Sequence, residues 1–195
     1  VEPLTSPAGA GSSAPQITVR GGRAILSWLE VAGERATLKF AERTPSGWSA
    51  PQNAFSGTNF FINSFDIPSV RALTDGTILA HWIERNGDNK DASKVMLSWS
   101  KDKGRTWSKP VSPHHDGTMT EHGFVSLLAS GGKVQAAWLD GRQTTGEHEH
   151  GHGAGGAMTL RGALVQPDDR MQDEDYELDG RVCDCCQTDA AMTSE

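Results

Sequence analysis

Every cysteine of this chain falls inside one tetrapeptide, Cys183-Asp184-Cys185-Cys186. Three thiols within four residues support two kinds of chemistry. As thiolates they can bind a soft metal such as Cu(I), or zinc. Cys183 and Cys185 alone make a chelating pair, because alternate residues of an extended segment project the same way. The spacing is not that of a zinc finger, which uses two separated pairs. It is not the Cys-x-x-Cys-His haem-attachment motif either. The alternative is oxidation. Cys185 and Cys186 can close a vicinal disulfide, or one cysteine can pair with a partner beyond Glu195, which an odd count would suit.

Histidines offer a second donor set. His148, His150 and His152 alternate within Gly146-Glu147-His148-Glu149-His150-Gly151-His152-Gly153. Alternating imidazoles can hold Cu(II), nickel or zinc. A glycine-rich loop loses entropy when it is ordered, so such a site is weak unless packed, and the plain alternative is a polar loop. His114-His115-Asp116 and Glu121-His122 add further donors. The expectation is a copper or zinc ion on Cys183, Cys185 and Cys186, helped by His148, His150 and His152.

These residues must be carried by strands. The chain has 195 residues, 36% of them hydrophobic, with 22 Gly and six Trp against one Tyr. No segment sustains an apolar 3.6-residue period, so helix is not expected. No run of about 18 apolar residues exists, which argues against a transmembrane helix. The net charge of −7, without a basic stripe, argues against nucleic acid as a partner. Residues 1–15 are rich in Pro, Ala, Gly and Ser and read as a flexible leader or linker. The chain opens without an initiator Met or a signal peptide, which reads as a processed or excised product.

The rest repeats. Arg23 to Glu30, Thr77 to Glu84 and Lys133 to Asp140 are strand-like and carry Trp28, Trp82 and Trp138, spaced 54 and 56 residues apart. A glycine-containing turn precedes each, and a more polar strand follows the first two. Trp48-Ser49-Ala50-Pro51 and Trp107-Ser108-Lys109-Pro110 end the first two repeats in parallel. A period of about 55 residues matches one four-stranded propeller blade. Three blades are expected, at about 16–60, 61–118 and 119–191. A β-sandwich with coincidental Trp spacing is the alternative.

Inside the second repeat, Ser100-Lys101-Asp102-Lys103-Gly104-Arg105-Thr106-Trp107 completes a Ser-x-Asp-x-Gly-x-Thr-Trp pattern. Asp102 can accept hydrogen bonds from the N–H groups of the turn it starts, and Gly104 can supply a positive φ. Thr106 and Trp107 suit the start of a return strand. The pattern resembles the Asp-box of the sialidase-like, BNR-repeat β-propellers, with Ser100, Asp102, Gly104, Thr106 and Trp107 as structural turn residues. The resemblance implies an all-β fold of four-stranded blades. This chain would hold about three of them, half of a six-bladed ring, with the other half supplied by a second chain or copy. It also implies a secreted or periplasmic protein.

The resemblance extends over about Phe65 to Pro110. Phe65-Asp66-Ile67-Pro68 stands where the family has Phe/Tyr-Arg-Ile-Pro, so an arginine that grips the sialic acid carboxylate is replaced by Asp66. An aspartate repels that carboxylate. Sialidase activity proper is therefore not expected. Glycan recognition or another glycoside hydrolysis is expected instead, and an enzyme of this kind would be a glycoside hydrolase related to exo-sialidases. Such cleavage uses two carboxylates flanking the bond. Candidates are Asp66, Glu84, Asp88, Asp91 and Asp140, with Asp66 and Glu84 favoured as catalytic. Arg85 and Arg142 are the substrate-binding candidates, although Asp140-Gly141-Arg142 can also close a structural turn. The runner-up functions are a metal-binding propeller and a structural interaction module.

Overall fold

The computed structural model describes residues 4–130, 133–144, 156–166 and 174–193. Among them the fold is all-β, with antiparallel sheets and no helix. No helix is long and apolar enough to cross a membrane among the described residues.

Among the described residues twelve strands form three sheets. The first holds β1 (Ser13–Arg20), β2 (Arg23–Ala32), β3 (Arg35–Thr44), the two-residue β4 (Gly47–Trp48) and β5 (Gln52–Gly57). Its order is β1-β2-β3, with β4 and β5 both pairing with β3. The second holds β6 (Ser69–Ala72), β7 (Ile78–Arg85) and β8 (Ser93–Ser100) in that order. The third holds β9 (His122–Ser130), β10 (Lys133–Asp140), β11 (Thr159–Val165) and β12 (Tyr176–Asp179), ordered β12-β11-β10-β9. The repeat segments around Trp28, Trp82 and Trp138 lie in β2, β7 and β10. β1 begins at Ser13, inside the stretch read as a leader.

Contacts divide the chain into two compact units. The first comprises Val1–Phe60, Ile67–Trp82 and Leu97–Pro110; the second comprises Phe61–Asp66, Ile83–Met96 and Val111–Glu195.

The repeated tryptophans are core anchors. Trp28, Trp82 and Trp138 are at most 1% exposed. A buried indole N–H needs an acceptor. Trp28 Nε1 donates to Glu30 Oε1 at 2.9 Å, and Trp138 Nε1 donates to Asp140 Oδ2 at 2.8 Å. Residues i and i+2 of a strand share a face, so an acid two positions after the Trp stands where the ring's polar edge points.

The Trp-Ser-x-Pro endings do equivalent work. Ser49 N donates to Glu42 O at 2.9 Å, and Ser49 Oγ accepts Glu42 N–H at 3.0 Å. Ser108 N donates to Trp99 O at 2.8 Å, and Ser108 Oγ accepts Trp99 N–H at 3.1 Å. In both repeats the hydroxyl accepts from a strand amide where a ladder carbonyl would otherwise stand. This corrects the expected return strand at Thr106 and Trp107, which is not a regular strand. The side chain of Ser108 takes over half of the pairing, and Pro110 has no N–H to extend it.

The intervening turn is stapled. Asp102 Oδ1 accepts Thr106 N–H at 2.9 Å and the Ser100 hydroxyl at 2.8 Å, while Asp102 Oδ2 accepts the Thr106 hydroxyl at 2.6 Å. These bonds, with the Thr106 hydroxyl foremost, pull the Asp102 pKa down to about 2. Gly104 has φ +86°, and a Cβ there would meet Phe40 Cζ at 2.5 Å. Phe40 in turn packs edge-on to Trp107, with centroids 6.0 Å apart.

Candidate functional site

The chemistry-bearing residues of the second unit gather around the start of β9. Phe124, its third residue, has φ +54°. That region is uncommon for any residue with a bulky side chain. The β9–β10 register is irregular between Ala137 and Leu139, opposite this point, as at a β-bulge. Asp66 Oδ1 accepts the Phe124 N–H. Asp66 is itself fixed by Asn63, whose Nδ2 donates to Asp66 Oδ2 at 2.9 Å. Asn63 Oδ1 accepts the N–H groups of Phe65 and Asp66 at 2.7 and 2.6 Å, a local Asx turn. A Cβ on Gly123 would lie 2.6 Å from Asp66 Oδ1, so glycine is what lets the carboxylate approach. Burial raises the Asp66 pKa, and the bonds from Phe124 and Asn63 oppose that rise.

The Phe124 ring forms a small core with Leu139 and Met158, against which Leu160 and Val182 pack. Its carbonyl accepts the hydroxyl of Thr188, and Gln187 Nε2 donates to Phe65 O. Val182 N donates to Met158 O at 2.9 Å. The segment between Val182 and Gln187 is therefore tied at both ends. It carries Cys183, Cys185 and Cys186, all exposed and all free thiols. Their sulfurs lie within 4.8 Å of one another, and Cys183 Sγ is 3.4 Å from Cys185 Sγ. Hydrogen bonds from the Cys185 backbone and from the Cys186 and Cys185 thiols lower the Cys183 pKa. The Cys183 hydrogen bond and charge push Cys185 up to about 11.

Glu121 immediately precedes β9, and its carbonyl accepts Gly141 N–H at 2.8 Å. Burial pushes its carboxyl up to about 7; the charges of Asp66, Asp184 and Asp91 add to this, and His122 pulls the other way. It is a carboxyl group poised near neutrality, the property a general acid requires.

Behind it lies a buried ionic network. His114 Nε2 accepts the Val95 N–H at 3.2 Å, so the proton sits on Nδ1, which donates to Asp116 Oδ2 at 3.0 Å. His122 Nδ1 lies 2.9 Å from Ser93 O and 3.0 Å from Thr120 O, acceptors both, and so carries a proton. His122 Nε2 stands 3.1 Å from Asp116 Oδ2 and 3.6 Å from Asp140 Oδ2, ion-pair distances at which both carboxylates favour its protonated form. The stacked rings, 4.0 Å apart, thus pair a His114 that burial keeps neutral with a His122 whose cationic form is favoured. Burial lowers the His114 pKa, aided by the His122 charge against Asp116. Burial acts the same way on His122, but the Asp116 bond and the charges of Asp140 and Asp116 outweigh it and raise the value. Asp116 is held well below the usual carboxylate range: bonds from His114, His122 and Thr118 overcome its burial.

Arg142 closes the network. It meets Asp140 through Nε at 2.8 Å and Nη2 at 2.7 Å, and Asp175 through Nη1 at 2.9 Å. Arg161 Nε reaches the same Asp175 oxygen at 2.6 Å. His114, Asp116 and His122 present donor atoms close enough for a metal. Arg142 Nη2, however, stands 3.5 Å from Asp116 Oδ2, and His122 supplies a second positive charge. The cation position is already taken by protein groups.

No protein-family model matches the chain, and no curated protein does. Solved structures do. An α-L-arabinanase from Penicillium chrysogenum, complexed with arabinobiose, aligns at TM-score 0.53 and 13% identity over 80% of this chain and 45% of that one. A protein of unknown function from Dyadobacter fermentans aligns at TM-score 0.55 and 13% identity over 86% of this chain and 54% of that one. The chain spans about half the length of these structures. The likeness is one of fold. The NanB sialidase from Streptococcus pneumoniae aligns at TM-score 0.45, 20% identity, over 88% of this chain and 23% of that one, too distant to bear on fold or activity.

The structure thus gathers some of the sequence-predicted residues and separates others. Asp66 is buried and hydrogen-bonded to Phe124 and Asn63. Glu84 and Arg85 end β7; Glu84 is half-buried, and the exposed Arg85 has its guanidinium 5.8 Å from the Phe61 ring centroid. Arg142 is held inside the network by Asp140 and Asp175. Cys183, Cys185 and Cys186 come together. His148, His150 and His152 lie outside the described residues. The sequence marks Glu121 only as a possible metal donor. Its neighbours Asp66, Asp91 and Asp184 come from distant parts of the chain, so no local pattern marks its raised pKa.

Proposed function

We propose that this chain contributes about three blades of a six-bladed β-propeller that acts on glycans, in a secreted or periplasmic setting, with Glu121 as proton donor. The three antiparallel sheets, the Trp-carboxylate staple repeated in β2 and β10, and the fold likeness to an α-L-arabinanase support the propeller reading. The observation that carries the chemistry is the Glu121 carboxyl, half-protonated near pH 7 beside other carboxylates. A glycosidic oxygen leaves as an alcohol only when protonated, and a second, ionised carboxylate must face the sugar. Asp91, whose charge reaches Glu121, is assigned that second role in preference to Asp66, which is hydrogen-bonded through both oxygens.

The test is hydrolysis of arabino-oligosaccharides and sialosides by the protein and its Glu121→Gln and Asp91→Asn variants, with glycan binding measured alongside. Turnover lost in both variants with binding retained supports hydrolysis. Binding without turnover in the unaltered protein reduces the role to recognition. Neither binding nor turnover with any glycan overturns the reading.

A further inference from the structure

The thiol segment carries an inference that stands apart from the glycan reading. We propose that Cys183, Cys185 and Cys186 together bind one monovalent copper ion through three thiolates. Three features of the molecule lead there. The three sulfurs converge to within 4.8 Å of one another, close enough for one ion to touch all three. Among the described residues the group contains sulfur alone, and a donor set without imidazole or carboxylate selects a soft ion. Zinc in a closed site takes four ligands, whereas the described residues bring three here.

The third feature is preorganisation. Val182 is bonded to Met158 and packed on the Phe124 core, while Gln187 and Thr188 are bonded to Phe65 and Phe124. The loop between these anchors is four residues long and carries every thiol. Ordering losses on binding are therefore already met by the fold. Asp184, inside the same tetrapeptide, places a carboxyl group next to Cys183 and Cys185 along the chain. The sulfurs are exposed, so an ion can enter without any opening of the core. On binding, each ligating S–H gives its proton to solvent as an S–Cu bond forms, and no electron is transferred.

The experiment is an anaerobic titration of the reduced protein with cuprous ion against a chromophoric chelator, followed by X-ray absorption at the copper edge. The expected result is one copper per chain surrounded by three sulfurs. Each single substitution, Cys183→Ser, Cys185→Ser or Cys186→Ser, should weaken binding by at least about tenfold, the loss that even an outer-shell partner's removal produces. Circular dichroism of the variants checks that the fold persists, as exposed positions predict. The proposal is overturned by the absence of stoichiometric copper, by copper surrounded by nitrogen, or by binding that survives Cys185→Ser but not His148→Ala/His150→Ala/His152→Ala. A Cys183–Cys185 disulfide in the protein as isolated also overturns it.

Discussion

The buried carboxylate of Asp66 accepts the backbone N–H of Phe124, and this bond joins a loop at residues 63–66 to a residue held at φ +54°. Phe124 has no glycine-like freedom, so its conformation persists because its surroundings over-determine it. Its N–H, its ring and its carbonyl are each engaged by a different part of the second unit. Asp66→Ala leaves a buried donor without its acceptor, at a cost of roughly 1–3 kcal/mol. Urea denaturation should show that loss, and amide exchange at Phe124 should accelerate. An unchanged exchange rate at that amide would contradict the assignment.

Glu121 makes a prediction about pH. Its folded pKa is raised from 4.5 to about 7. Below 4.5 folded and unfolded chains both hold the proton. Between 4.5 and about 7 only the folded chain keeps it, so its contribution to stability is lost as pH rises through that window. The stability difference between the protein and Glu121→Gln should therefore change across pH 4.5–7 and be flat above it. A difference independent of pH in that range would remove Glu121 as a near-neutral acid.

The two stacked histidines should differ in charge. Nitrogen NMR across a pH titration should find His122 holding its second proton to higher pH than His114, and the neutral His114 carrying its proton on Nδ1. The same network fixes an acid limit. Asp116 has a depressed pKa, so its contribution is present above about 3.8 and disappears as pH falls through the folded value. Asp116→Asn breaks a buried charge group and should cost roughly 3–5 kcal/mol at neutral pH, measured by denaturation. A His122 that gives up its second proton at lower pH than His114 would be inconsistent with this arrangement.

Gly104 tests the turn. Alanine there meets both a positive φ and the Phe40 ring, and should destabilise by roughly 1–3 kcal/mol. Adding Phe40→Leu to Gly104→Ala removes the ring edge, so the double variant should be more stable than the two separate losses sum to. Simple additivity in thermal melts would show that crowding against Phe40 is not the cause.

Much of the fold is written in local pattern. The glycine turns and buried tryptophans mark β2, β7 and β10, because a strand's side-chain period and a turn's φ requirement both act within a few residues. The same locality made the Ser100–Trp107 turn readable. The site was less so. Asp66, Glu121 and Asp184 influence one another only after the chain folds, and nothing around Phe124 announces a left-handed residue. Arg142 was legible in part: an acid two residues before an arginine can close a turn, but Asp175, its other partner, lies 33 residues on. The cysteines were visible as a group, whereas the anchors at Val182, Gln187 and Thr188 that hold them were not.

The indole–carboxylate pairs of Trp28 with Glu30 and Trp138 with Asp140 bear on how such a chain can arise. Each large ring brings its own acceptor on the same strand, so its indole N–H needs no partner from a neighbouring sheet. A segment with that property can be copied beside itself without a new acceptor having to be found for its buried ring. Self-sufficiency of the anchor is what makes duplication of a sheet survivable, and it leaves the connecting loops at liberty to diverge.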